Sequence, residues 1–223
     1  MSFIYAEAFG VEHEMKEKGV GLIFIISAPS GTGKTTLVRE VIQQLPGLRF
    51  SVSFTTRLPR PDEREGQDYH FVSHSTFQKM VEKNEFLEWA EVLGNRYGTP
   101  RPDFKKMELE EVDLILDIDT QGAKKVVKEI GQPVLIYLLP PSLRVLRERL
   151  INRGMDSLER VKFRLSNARK DMEEARGYHY VIINDRMEDA LEKLKSIIVA
   201  ERCRKGKSMI LAANMKQWEE KDG

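Results

Sequence analysis

The segment Ala28-Pro29-Ser30-Gly31-Thr32-Gly33-Lys34-Thr35-Thr36 is where residue types and spacing specify chemistry most directly. It approximates a phosphate loop (Gly, four residues, Gly-Lys-Ser/Thr), with Ala28 in place of the first glycine. Gly31 and Gly33 let backbone amides curl around phosphate oxygens, and the helix that follows offers its positive N-terminal end. Lys34 has the reach for β and γ phosphates, and Thr35 has a hydroxyl for Mg²⁺. Alanine serves at the first position so long as no positive φ is required there. The competing reading, a chance glycine-rich turn, leaves the Lys-Thr pair and the flanking strand and helix unexplained. Such a loop implies a nucleoside triphosphate without choosing between kinase, GTPase and motor. The chain has no Asn-Lys-x-Asp guanine-reading motif, which weighs against a GTPase.

Two further groups of residues are suited to anions. In Ser51-Val-Ser53-Phe-Thr-Thr-Arg57-Leu-Pro59-Arg60-Pro61, two arginines stand three apart with proline between them. Proline disfavours a helix and keeps the segment extended or turned, so two guanidinium forks are presented together. That suits a phosphate monoester dianion, although a solvated charge pair is the plainer alternative. Between residues 144 and 169 lie Arg144, Arg147, Arg149, Arg153, Arg160, Arg164 and Arg169. Arg149/Arg153 and Arg160/Arg164 are each four apart, so each pair shares a helical face. An ordinary solvated helix, with Glu148, Glu159 and Asp171 as partners, accounts for part of this run.

The elements that must hold these residues alternate in type. The β-branched apolar run from Val20 to Ser27 predicts a strand buried on both faces, and Lys34 to Leu45 predicts a helix ended by Pro46-Gly47. Strands are expected at Val112–Ile118, Pro133–Leu139 and Tyr180–Ile183, and helices at Gln121–Ile130 and Met187–Arg204, with a strongly helical stretch over 142–177. This alternation predicts a parallel α/β sheet flanked by helices. Residues 48–104 differ: they are polar and broken by prolines and glycines. Short strands are expected at Phe50–Phe54 and Tyr69–Val72, and a helix at Ser75–Lys83 capped by Ser75. This block reads as an insert on the sheet scaffold.

Bulk composition limits the class. The chain has 223 residues, 41% hydrophobic, with 36 basic and 35 acidic residues for a formal net charge of +1. That balance disfavours a nucleic-acid-coating protein while allowing local anion sites. The one cysteine, Cys203, cannot form an internal disulfide, which suits a reducing compartment. No apolar run approaches the ~20 residues of a membrane span. The first residues lack the basic start and apolar core of a signal peptide, so the cytoplasm is the expected location, with no membrane partner.

Further motifs complete a pattern: Gly66-x-x-Tyr69-x-Phe-Val, Glu85-Phe-Leu-Glu88, Gly94-Asn-Arg-Tyr97-Gly98-Thr99, Leu116-Asp117-Ile118-Asp119-Thr-Gln121-Gly122 and Ile183-Asn184-Asp185. Together with the phosphate loop, the Ser-Val-Ser-x-Thr-Thr-Arg-x-Pro-Arg segment and the arginine-rich stretch, they occur in the order found in the guanylate kinase family. The chain closely resembles that family over residues 20–204. The resemblance implies a P-loop NTPase-type core (20–48, 105–141 and 178–204), an inserted mixed α/β GMP-binding subdomain (49–104) and a helical lid (142–177). Residues 1–19 are then an N-terminal extension and 205–223 a C-terminal tail. It implies Mg²⁺-dependent transfer of a phosphoryl group from ATP to GMP.

Site roles follow from the resemblance. Arg57, Arg60, Tyr69 and Tyr97 would hold the GMP phosphate, and Ser53, Glu88 and Thr99 the guanine, with Asp119 nearby. One carboxylate such as Glu88 can accept both the N1–H and the N2 amino group of guanine, whereas adenine presents a bare N1 acceptor there. Residues 28–36 with Asn184 and Asp185 would bind ATP, the last two approaching the adenine. Thr35 and Asp117 would serve the metal. Lys34, Arg60, Arg153 and Arg164 would surround the transferring phosphoryl group, with Arg149 and Arg160 as lesser candidates. Plain alternatives stand beside these roles: Glu88 as a surface residue among Glu82, Glu85 and Glu91, the tyrosines as packing residues, and Asn184-Asp185 as a simple turn. Arg186 departs from the family's usual acidic or small polar residue, which bears on the choice of ATP as donor. Rival readings are a kinase for another monophosphate and a guanylate-kinase-like module that grips a phosphorylated peptide. The intact phosphate loop opposes the second. The oligomeric state is not legible.

Overall fold

In the computed structural model, the described residues are 21–61, 63–92, 94–152, 159, 161, 162, 164–166 and 173–219, with side chains as far as 204. The extension 1–19, Arg153 and Arg160 lie outside them.

The floor of the molecule is a five-stranded parallel sheet. Its strands are β1 (Ile23–Ser27), β2 (Leu48–Phe50), β7 (Asp113–Asp117), β8 (Val134–Leu139) and β9 (Tyr180–Ile183), in the order β2-β7-β1-β8-β9. β1 is central and buried along its whole length. Side chains alternate across a strand, so Phe24 and Ile26 pack with Leu37, Val38 and Val41 of α1 (Lys34–Gln44) and with Leu191 and Leu194 of α6 (Met187–Glu219). Ile23 and Ile25 face the other way, onto Met107 of α3 (Phe104–Leu109) and Ala123 and Val126 of α4 (Thr120–Ile130). A run apolar at every position is therefore what a strand covered on both faces requires.

The region between β2 and α3 builds a second sheet, ordered β4-β3-β6-β5. It contains β3 (Phe54–Thr55), β4 (His70–Phe71) and the hairpin of β5 (Phe86–Val92) and β6 (Asn95–Pro100), covered by α2 (His74–Glu82). Its core is aromatic: the rings of Phe77 and Phe86 stack with centroids 4.6 Å apart, and Phe54 meets Phe86 at 5.8 Å. Gly98 makes this possible, because a Cβ there would lie 2.8 Å from the Phe86 ring. α5 (Leu143–Asn152) lies over a small cluster of Leu146, Leu150 and Val161.

Several local expectations need correction. The strand expected over 50–54 is divided between the two sheets: β2 pairs with β7, and β3 pairs with β6. The cap of α2 is Ser73, not Ser75, since the Ser73 side chain accepts the Thr76 N–H. The closing helix does not end at Arg204 but continues to Glu219, through most of the stretch expected as a tail. The β5–β6 hairpin and α3 were not anticipated as elements.

Candidate active site

The carboxyl ends of β1 and β7 lie side by side, joined where Ser27 Oγ donates to the Ile118 carbonyl at 2.8 Å. Open parallel sheets offer ligand crevices at this edge. The loop 28–33 leaves β1 here. Gly31 and Gly33 have φ of 92° and 93°, the left-handed conformation that favours glycine. Thr32 is wholly buried, and its hydroxyl donates to the Pro29 carbonyl at 2.7 Å, closing the loop on itself. Ala28 is not among the positive-φ residues, which is why alanine is accommodated there. Thr35 and Thr36 are exposed in the first turn of α1.

Lys34 pairs with Asp117 and donates to the Ile118 carbonyl at 3.2 Å, and Thr35 Oγ1 donates to Asp117 Oδ2 at 3.3 Å. Lysine, hydroxyl and carboxylate thus meet at one point. Thr35 and Asp117 form a set of hard oxygen donors of the kind Mg²⁺ takes while keeping several waters. Among the described residues no cluster of three or more His, Cys, Asp or Glu side chains is arranged to hold a metal by itself.

The loop is clamped from the other side. Asn184 follows β9, is 1% exposed, and donates its amide to the Thr32 carbonyl at 2.7 Å. Its Oδ1 is buried and without a hydrogen-bond partner. Asp185 is exposed. Arg149, on α5, donates to the carbonyls of Thr32, Asn184 and Asp185 at 3.1–3.3 Å, tying the loop to this turn. Arg164 reaches Ser30 Oγ.

On the second sheet, Arg57 donates to Glu63 Oε1 at 2.7 Å, and the Arg60 N–H donates to Glu63 Oε2 at 2.8 Å. The hydrogen bond that Arg57 donates to Glu63 holds Arg57 protonated beyond its ordinary range. Burial pushes the Glu63 carboxyl up, but the bonds from Arg57 and Arg60 outweigh it and leave it below the usual value. The Arg60 side chain is 53% exposed, its guanidinium 4.0 Å from Glu63. Arg57 also lies over the Tyr69 ring at 5.6 Å, and Tyr69 meets Tyr97 edge-on at 6.0 Å. Burial, with the charge of Asp117 as a second cause, pushes the Tyr69 hydroxyl up to about 12. The backbone of Ser53 accepts the His70 N–H at 2.8 Å, and its side chain is half-buried.

Glu88 and Thr99 stand opposite each other in the β5–β6 ladder. Thr99 Oγ1 donates to Glu88 Oε1 at 2.7 Å, and Glu88 is only 9% exposed. Burial raises its carboxyl pKa, with the nearby charge of Asp119 adding to the rise. Asp119 caps α4, accepting the Gly122 N–H at 2.7 Å. The structure therefore gathers the sequence-derived residues into two neighbouring groups, apart from Arg153, which lies outside the described residues. Sequence reasoning missed Glu63, although an acid three residues beyond Arg60 in a proline-rich turn is a usable signal. It also gave Arg149 too little weight.

The sequence profile of the family described as "Guanylate kinase" matches residues 21–201. A guanylate kinase from Geobacter sulfurreducens is 50% identical over 190 residues, 85% of this chain and 93% of that protein. One from Nitrosospira multiformis is 45% identical over 190 residues, 85% of this chain and 90% of the other. Among solved structures, a guanylate kinase from Anaplasma phagocytophilum superposes with a TM-score of 0.68 at 34% identity, covering 82% of this chain and 87% of that one.

Proposed function

The chain belongs to the guanylate kinase family and is an ATP:GMP phosphotransferase, and from that premise we propose how its residues divide the work. The phosphates of ATP lie along residues 28–36, where Lys34 exchanges Asp117 for the β and γ oxygens. Asn184, whose carbonyl Arg149 ties to the loop, stands at the turn that approaches the adenine. Asp185 lines the same edge. Thr35 and Asp117 would hold Mg²⁺, which when bound would neutralise charge on the phosphates.

The acceptor occupies the second sheet. Arg57, Arg60, Tyr69 and Tyr97 take the GMP phosphate, a group largely deprotonated at neutral pH that needs no general base. Tyr69 is a proton donor at neutral pH, and with its hydroxyl pushed up to about 12 it stays one well into the alkaline range. Ser53, Glu88 and Thr99 read the guanine, with Asp119 at the pocket's edge. The observation that carries this reading is the buried Glu88, whose Oε1 is fixed by Thr99. A buried carboxylate costs stability unless a ligand supplies donors, and guanine supplies two side by side. Alongside GMP, dGMP is expected to serve as acceptor.

Lys34, Arg60, Arg153 and Arg164 then surround the group in flight, while the lid excludes water that would otherwise hydrolyse ATP. The reaction is reversible, gives ADP and GDP, and serves purine nucleotide metabolism and GMP recycling in the cytoplasm. The test is a coupled assay of ADP release with GMP, dGMP, AMP, UMP and CMP, run beside Lys34→Ala. Turnover confined to GMP and dGMP, and lost in Lys34→Ala, supports the assignment. Equal turnover of AMP, or an active Lys34→Ala, overturns it.

A further inference from the structure

Gly122 is buried in the first turn of α4, directly against the guanine-reading carboxylate. A Cβ at this position would lie 3.2 Å from both Cδ and Oε2 of Glu88, and 3.4 Å from Asp119 Oδ1. The backbone there has no positive φ, so conformational freedom does not explain the glycine. What the missing side chain leaves is room between two carboxylates. Thr99 fixes Oε1 of Glu88 on one side, and Asp119 is held by the Gly122 N–H on the other. Oε2 lies in the gap that only hydrogen at Gly122 leaves open.

We infer that Gly122 is a specificity-determining positioning residue: its bare Cα sets where Glu88 Oε2 lies, and so how well the enzyme distinguishes guanine from purines lacking the N2 amino group. This rests on the proposed role of Glu88. A methyl at position 122 forces the Glu88 carboxyl to move by some tenths of an ångström against the bond from Thr99, and pairs of hydrogen bonds made to one base edge are sensitive to such displacement. The helix itself has no need of glycine, since alanine is the better helix former.

The experiment compares kcat/KM for GMP and for IMP, which lacks the N2 amino group, in the wild type, Gly122→Ala, Glu88→Gln and the double variant, with thermal melting of each. We expect Gly122→Ala to melt no lower than wild type while its GMP-over-IMP preference falls about 10-fold or more, carried by KM rather than kcat. In the Glu88→Gln background the same substitution should change the preference little, because the two act through one group. A preference within twofold of wild type in Gly122→Ala, while Glu88→Gln loses it, overturns the inference and leaves the role of Glu88 standing. If Glu88→Gln itself keeps the preference, the reading of Glu88 fails. A Gly122→Ala that melts well below wild type identifies a packing role and overturns the inference as stated.

Discussion

Glu88, proposed to read the guanine, carries its own signature in pH. Burial raises the Glu88 carboxyl above its ordinary 4.5. Only the ionised form accepts two N–H donors, so GMP affinity should fall as pH drops through this raised value, and the acid limb of kcat/KM for GMP should flatten in Glu88→Gln. The stability consequence has the opposite sense. A carboxyl whose folded pKa lies above its unfolded one binds more protons in the folded state, so stability declines as pH rises through the window above 4.5. At neutral pH the penalty is fully present, and Glu88→Gln should melt at or above the wild-type temperature while losing GMP. A lower melting temperature with GMP affinity intact would contradict both halves. Tyr69→Phe should raise KM for GMP roughly 10-fold or more, the scale of one hydrogen bond to a charged group. An unchanged KM would remove Tyr69 from the phosphate site.

Among the elements, the loop depends on what lies beneath it. Leu146 and Leu150 of α5 are fully buried under Gly31. Leu150→Ala should cost about 2–5 kcal/mol by cavity formation and weaken ATP binding, read by thermal melting with and without ATP. At the far edge of the sheet, the Leu135 N–H donates to His179 Nδ1 at 3.0 Å, which requires that nitrogen to be unprotonated. Burial pushes this histidine below its ordinary 6.5. The unfolded state then binds more protons, so stability falls as pH drops below about 6.5 towards the lowered folded value. A His179→Gln variant with the same melting dependence between pH 5 and 7 would exclude this contribution. The apolar strands of the main sheet and the helices α1, α4 and α6 were legible because burial on both faces of the sheet leaves an unambiguous pattern. The β5–β6 hairpin was not, since burial does not alternate along it: Phe86, Leu87 and Glu88 are buried in succession, and Trp89, Glu91 and Val92 are exposed. Ser73 outranked Ser75 as a cap because capping depends on backbone geometry at one residue, which composition does not reveal.

At the scale of the molecule, a five-stranded sheet carrying the phosphate loop is joined to a four-stranded sheet carrying Glu88, Tyr97 and Thr99. α4 ties them together: it packs on the main sheet through Ala123 and Val126 and reaches β5 where Lys125 donates to the Trp89 carbonyl at 2.7 Å. Arg39, on the helix that follows the phosphate loop, pairs with Asp68 immediately before Tyr69. The phosphate loop, the paired arginines and the Glu88 region were visible in the sequence because each is a local string. Arg149 clamping the loop to Asn184 and Gly122 against Glu88 join residues far apart in sequence, and only the folded chain brings them into view, whereas Glu63 holding both arginines is a local signal that was overlooked. The central claim is that a buried carboxylate selects guanine as the acceptor. Its most direct measurement is the ratio of kcat/KM for GMP to that for AMP in wild type and Glu88→Gln. The account predicts a wild-type ratio of about 10⁴ or more that collapses by about 100-fold or more in the variant. A ratio the substitution leaves unchanged would contradict it.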